Sequence, residues 1–211
     1  VGNMNRDLSV QFCAFHGTIW DFSGRQTYFR CGGIGGGNGG SNVIGCYCDA
    51  NLDFRTSGSV GGIRGEWYPG STDFLNGNGR YNGCYFAGYI SSAESLSYPS
   101  KVGSITCQNG LAPDPTQLVP LKFTYSLQGS SAGLVQGNVR TREQMLSRDF
   151  VEELNNALPI NSQTRYVYQE GSFPKLDYEV EAQTDSTPYS SPAATIDVSN
   201  NYVFNSGYTV R

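Results

Sequence analysis

Asp177, Glu179 and Glu181 recur at alternate positions of the segment KLDYEVEAQ. Glycoside hydrolysis needs two carboxylates about 5 to 9 Å apart, and on an extended strand Glu179 and Glu181 would share a face with Cα atoms about 6.6 Å apart. Asp21 and Glu66 are the other acids available to a polysaccharide-acting hydrolase. A row of acids opposite an apolar face is also what a half-solvated strand shows. The segment supplies no apolar pocket to raise one acid above the other, so these acids are expected to be a solvated face.

His16 is the only histidine and therefore the only imidazole available as a base. A lone histidine beside a strand end is expected to be structural. Asp49, Asn51 and Asp53 have the spacing of a calcium loop, but Phe54 and Val60 stand where that loop needs glycine and glutamate. Gly35, Gly37 and Gly40 form a G-x-G-x-x-G followed by a strand-like run rather than a helix, so no phosphate site is expected. Catalytic residues, metal and cofactor are all expected to be absent.

Six cysteines, Cys13, Cys31, Cys46, Cys48, Cys84 and Cys107, all fall before residue 110. An even count in a Gly-rich segment reads as a disulfide framework in an oxidising compartment. A Cys46–Cys48 bond would close a strained ring, so each of those two is expected to pair elsewhere.

The richest binding chemistry lies in GEWYPGSTDFLNGNGRYNGCYFAGY, residues 65–89. Trp67, Tyr68, Tyr81, Asn82, Tyr85 and Tyr89 combine aromatic faces with amide groups, a mixture suited to sugars or to a protein partner. If 81–89 is one strand, Tyr81, Tyr85 and Tyr89 share a face at intervals of about 13 Å. Cross-strand packing of buried rings is the competing reading.

Strands must position these groups. DLSVQFCAF alternates apolar and polar residues, RQTYFRC and SNVIGCYC flank the glycine run, and KFTYSL and GLVQGNV follow later. Three Asn-Gly pairs between residues 76 and 83 carry the chemistry of hairpin turns. KLDYEVEAQ alternates without fault, and ATIDVS with YVFNSGYTV reads as a terminal hairpin. One amphipathic helix is expected at 142–157, opened by a Thr141/Gln144 capping box, striped by Leu146, Phe150, Leu154, Ala157 and Leu158, and stopped by Pro159. No internal repeat is discerned.

The 211 residues carry 27 glycines, 14 tyrosines and only 15% charged residues, which favours a sandwich or barrel over a helical bundle. The net charge of −4 argues against nucleic acid, since duplex affinity depends on Lys and Arg displacing counterions. No apolar run is long enough to span a membrane. The start at Val1 points to removal of a leader. A Pro-rich connector, 111–120, divides a Gly/Cys/aromatic-rich β lobe (1–110) from an acidic lobe with the helix (121–211), or joins them in one continuous domain.

The expected protein is mainly β, sandwich or barrel-like and disulfide-stabilised. Its expected role is that of a secreted or surface-displayed binding module: an adhesin, lectin or fibre subunit recognising a glycan or cell-surface protein. A polysaccharide hydrolase and a self-assembling homo-oligomer or filament subunit are the alternatives.

Overall fold

The computed structural model describes residues 9–21, 29–36, 42–54, 58–67, 81–92, 102–108, 121, 123–131, 133 and 135–184. The chain winds in stacked coils. The first contains β1 (Ser9–Gln11), β2 (Ala14–Phe15), β3 (Thr18–Asp21) and β4 (Phe29–Gly32). The second contains β5 (Asn42–Ile44), β6 (Tyr47–Cys48), β7 (Asn51–Phe54), β8 (Gly58–Gly61) and β9 (Arg64–Trp67). The third contains β10 (Tyr81–Phe86), β11 (Tyr89–Ser92), β12 (Val102–Gly103) and β13 (Thr106–Gln108). β14 (Phe123–Leu127) and β15 (Asn138–Arg140) add further rungs.

Strands of the coils pair in parallel with their counterparts one coil on: β1 with β5, β2 with β6, β5 and β6 with β10, β10 with β14, β3 with β7 and β7 with β11, β4 with β8 and β8 with β12, and β9 with β13. This is a parallel β-solenoid, so the mainly β expectation holds and the sandwich or barrel gives way to stacked coils. The first sheet runs on from β10 to β14, across the connector region 111–120; the connector itself lies outside the described residues.

Residues in register repeat along the stack. VQFCAFHGTIW (10–20), VIGCYCDANLD (43–53) and YNGCYFAGYIS (81–91) align without a gap, an internal repeat that sequence reading missed. Inside the coils run the ladders Val10–Val43–Tyr81 and Ile19–Leu52–Ile90, with Ile34, Ile63 and Ile105 at successive corners, most of them fully buried. Each buried aliphatic side chain stabilises the stack by about 1.5–3 kcal/mol. The corner recurs as Cys31-Gly32-Gly33-Ile34, Val60-Gly61-Gly62-Ile63 and Val102-Gly103-Ser104-Ile105. Glycine is required there because chain passes over chain: a Cβ on Gly61 would lie 1.9 Å from the Arg64 carbonyl oxygen, and one on Gly103 2.1 Å from that of Thr106.

Asn82-Gly83 makes no hairpin. Gly83 has φ +61° and interrupts the register within β10, as Gly45 at φ +60° does the same duty one coil earlier and Phe12 at φ 52° in the first coil. The other Asn-Gly pairs and the expected terminal hairpin lie outside the described residues. The only antiparallel pair among the described strands is β16 (Tyr166–Val167) with β17 (Lys175–Leu176).

The expected helix forms in two pieces, α1 (Arg142–Met145) and α2 (Arg148–Ala157). The Thr141/Gln144 capping box is present, and Ser147 interrupts the run to cap α2 at Phe150 N–H. Phe150, Leu154 and Leu158 face a stack of tyrosines on the outer side of the first sheet, where Tyr47 and Tyr85 are parallel at 4.7 Å and Phe150 meets Tyr125 edge-on at 5.2 Å. Of KLDYEVEAQ only Lys175–Leu176 is strand. After Leu176 it turns into α3 (Asp177–Thr184), with the Glu179 carboxylate accepting the Leu176 N–H at 2.8 Å.

The disulfide framework is also corrected. Cys13, Cys31, Cys46, Cys48 and Cys84 are free thiols; the side chain of Cys107 lies outside the described residues. Cys46, Cys48 and Cys84 are small, fully buried and packed in the interior ladders.

Candidate functional site

The tightest polar constellation joins α3 to the first two coils. His16 and Asp49 occupy equivalent corner positions, after β2 and β6, and Asp49 accepts from His16 Nδ1 at 2.7 Å. His16 Nε2 donates to Glu179 Oε1 at 2.8 Å. The Tyr47 hydroxyl, 3.1 Å from Nε2, donates to Glu179 at 2.8–2.9 Å.

The hydrogen bonds from His16 to Asp49 and to Glu179 raise the imidazole pKa to about 9, burial opposing them. For Glu179, burial works upward, but the bonds from His16, Leu176 N–H and Tyr47 outweigh it and hold the carboxyl below its usual range. Burial, then the neighbouring Glu179 charge, pushes the Tyr47 phenol well up. Near neutrality His16 is therefore an imidazolium with both nitrogens engaged, and it has no lone pair to take a proton from a nucleophile. The arrangement is a clasp fastening α3 to the coils.

The paired carboxylates expected on one strand face do not form such a pair, because Glu179 and Glu181 lie on a helix and Glu179 is spent in the clasp. The side chains of Glu181, Asp21 and Glu66 are outside the described set. Among the described residues no group of three His, Cys, Asp or Glu side chains could hold a metal. Asp49 belongs to the clasp, while Asn51 and Asp53 sit on β7.

The predicted aromatic surface is redistributed. Gly83 breaks the alternation of β10, so Tyr81 turns into the solenoid interior beside Arg64 while Tyr85 turns outward beneath α2. Both are fully buried, and the Tyr85 hydroxyl donates to the Pro174 carbonyl. Neither can serve as an outward platform. Asn82 is half-buried, Trp67 ends β9 with its side chain outside the described set, and Tyr68 lies outside it altogether.

Of the four whose side chains are described, Tyr89 alone is exposed, at 49%. It lies on the outer face of the sheet β3–β7–β11, where register places Thr18, Asn51 and Tyr89 in one row and Trp20, Asp53 and Ser91 in the next. Trp20 is 59% exposed. With strands about 4.8 Å apart and residues rising about 3.3 Å, the Trp20 and Tyr89 positions stand about 12 Å apart on the diagonal, with Asn51 and Asp53 between them. Sequence reading missed Trp20. Aligning the three repeats on Cys13, Cys46 and Cys84 would have put it beside Asp53.

No family model, no curated protein and no solved structure matches this chain. Among the described residues no helix is long and apolar enough to cross a membrane.

Proposed function

We propose that this protein is a surface-displayed binding module that holds a glycan against the outer face of β3, β7 and β11. The observation that carries the reading is the pair of exposed rings, Trp20 and Tyr89, set in a rigid field of Thr18, Asn51, Asp53 and Ser91. Sugars present apolar C–H faces ringed by hydroxyls, so they need ring faces and short polar groups at fixed separation. Parallel stacking supplies that fixity, because each position is locked to its neighbours by the backbone ladder. The low charge of the chain fits a neutral polar ligand.

Glycan-array screening of the intact protein tests this, followed by titration of the bound class with Trp20→Ala and Tyr89→Ala. Each substitution should weaken binding about tenfold or more while leaving the unfolding transition in place. An array without hits, or hits indifferent to both substitutions, would dismiss the reading.

A further inference from the structure

We propose that Cys13 and Cys46 form a paired-thiol site that a low-molecular-weight disulfide closes into a covalent bond between the first and second coils. The two residues lie one position upstream of the Ala14–Tyr47 register pair, on strands joined by the bond from Tyr47 N–H to the Cys13 carbonyl at 3.0 Å. Adjacent strands are about 4.8 Å apart, inside the roughly 4.4–6.8 Å that disulfides span between Cα atoms. The Cys46 sulfur leans towards the first coil: it accepts the Cys13 N–H at 3.4 Å and lies 3.6 Å from the Val10 carbonyl.

Three in-register cysteines could in principle pair in two ways, and their surroundings decide between them. Cys13 is half-buried, and a hydrogen bond from Cys46 lowers its pKa to about 6 against the opposing effect of burial. That bond favours the thiolate, the nucleophilic form, and the residue is within reach of a small oxidant. Cys84 is fully buried, which pushes its thiol up to about 12, and its S–H is turned to the Val43 and Asn82 carbonyls. Cys31 and Cys48 are likewise raised by burial, to about 11 and 12.

The exchange balances with oxidised glutathione as oxidant. The Cys13 thiolate attacks one glutathione sulfur, forming a mixed disulfide and expelling a glutathione thiolate that takes up a proton. Cys46, giving up its own proton, attacks the Cys13 sulfur and expels the second glutathione. Overall the cysteine pair loses two electrons and the one proton that Cys46 held, and the second proton carried by the two released glutathione thiols comes from water.

The test is native treatment of the full chain with oxidised glutathione, acid quenching, alkylation of remaining thiols in denaturant, and peptide mapping without reduction. The expected product is one peptide pair linked through Cys13 and Cys46, placed by fragmentation, with Cys84 alkylated. Brief native alkylation should label Cys13 about tenfold faster than Cys31 or Cys48. Cys84→Ser should leave the bond intact, and Cys46→Ser should stop the reaction at glutathione on Cys13. A bond through Cys48 or Cys84, or a wild-type chain in which Cys13 and Cys46 are both recovered alkylated, would overturn the proposal without variants that risk misfolding.

Discussion

His16 Nε2 lies 2.8 Å from Glu179 Oε1 across 163 positions of sequence. That bond, with Asp49 on the other ring nitrogen, fastens α3 to the corner of the first two coils. Its strength must therefore depend on two protonation states at once.

Thermal stability should show a plateau with two shoulders. His16 has a raised folded pKa, so its contribution is complete below about 6.5 and lost as pH rises through about 9. Glu179 is depressed, so its contribution is present above about 4.5 and lost as pH falls through the lower folded value. The groups facing the ring are Asp49, Glu179, Tyr47 and Lys175. Because the chain has one histidine, its single imidazole proton resonance should titrate near 9. A midpoint near 6.5 would show that the clasp does not hold in solution.

Glu179→Gln should cost about 1–2 kcal/mol, measured by denaturant unfolding. A fully buried pair broken on one side loses about 3–5 kcal/mol, and solvent screening reduces this here because the His16 side chain is 40% exposed against 14% for Glu179. Its alkaline shoulder should shrink in parallel.

Gly61→Ala and Gly129→Ala separate two reasons for glycine. At Gly61 the new methyl would meet the Arg64 carbonyl at 1.9 Å and the Thr106 backbone at 2.8 Å, so the stack must open. A loss of several kcal/mol or failure to fold is expected. Gly129 has φ +76° with nothing within 4 Å, so only the left-handed backbone is penalised, at about 1–2 kcal/mol. Equal losses in calorimetry would contradict the corner geometry.

Phe150→Ala should destabilise by about 3–5 kcal/mol, because Phe150 is buried between Tyr85 and Tyr125 beneath α2. Loss of near-ultraviolet tyrosine dichroism at temperatures where the far-ultraviolet strand signal persists would show α2 leaving the sheet first.

Closing Cys13 to Cys46 would cross-link residues 33 apart. Loop-closure entropy then predicts about 3–4 kcal/mol of added stability, read as a denaturant midpoint that falls when reductant is added.

What the sequence made legible was local. The capping box at Thr141, the stripe through Phe150 and Leu154, and the strands around Val43, Tyr85 and Tyr125 follow from neighbours within one or two turns. Strand direction was not local. Parallel pairing joins Val10 to Val43 and Val43 to Tyr81 over unequal lengths of chain, so the repeat hides from any fixed period and the Asn-Gly pairs suggest hairpins instead. Tyr81 and Tyr85 were placed on one face because alternation was counted straight through Gly83, whose left-handed backbone reverses the sense. In KLDYEVEAQ two-residue alternation coincided with a helix that Glu179 anchors at its start. The clasp could not be foreseen, since its partners meet only once the coils are stacked.

Successive windings also differ in length at two places in chain order: 22–28, 55–57 and 93–101 separate strands of the second sheet from those of the third, and 37–41, 68–80 and 109–120 separate the end of one winding from the start of the next. The hydrogen-bonded rungs therefore keep their partners while the number of residues between them changes, and closing a connection of twice the length costs only about 0.6 kcal/mol more.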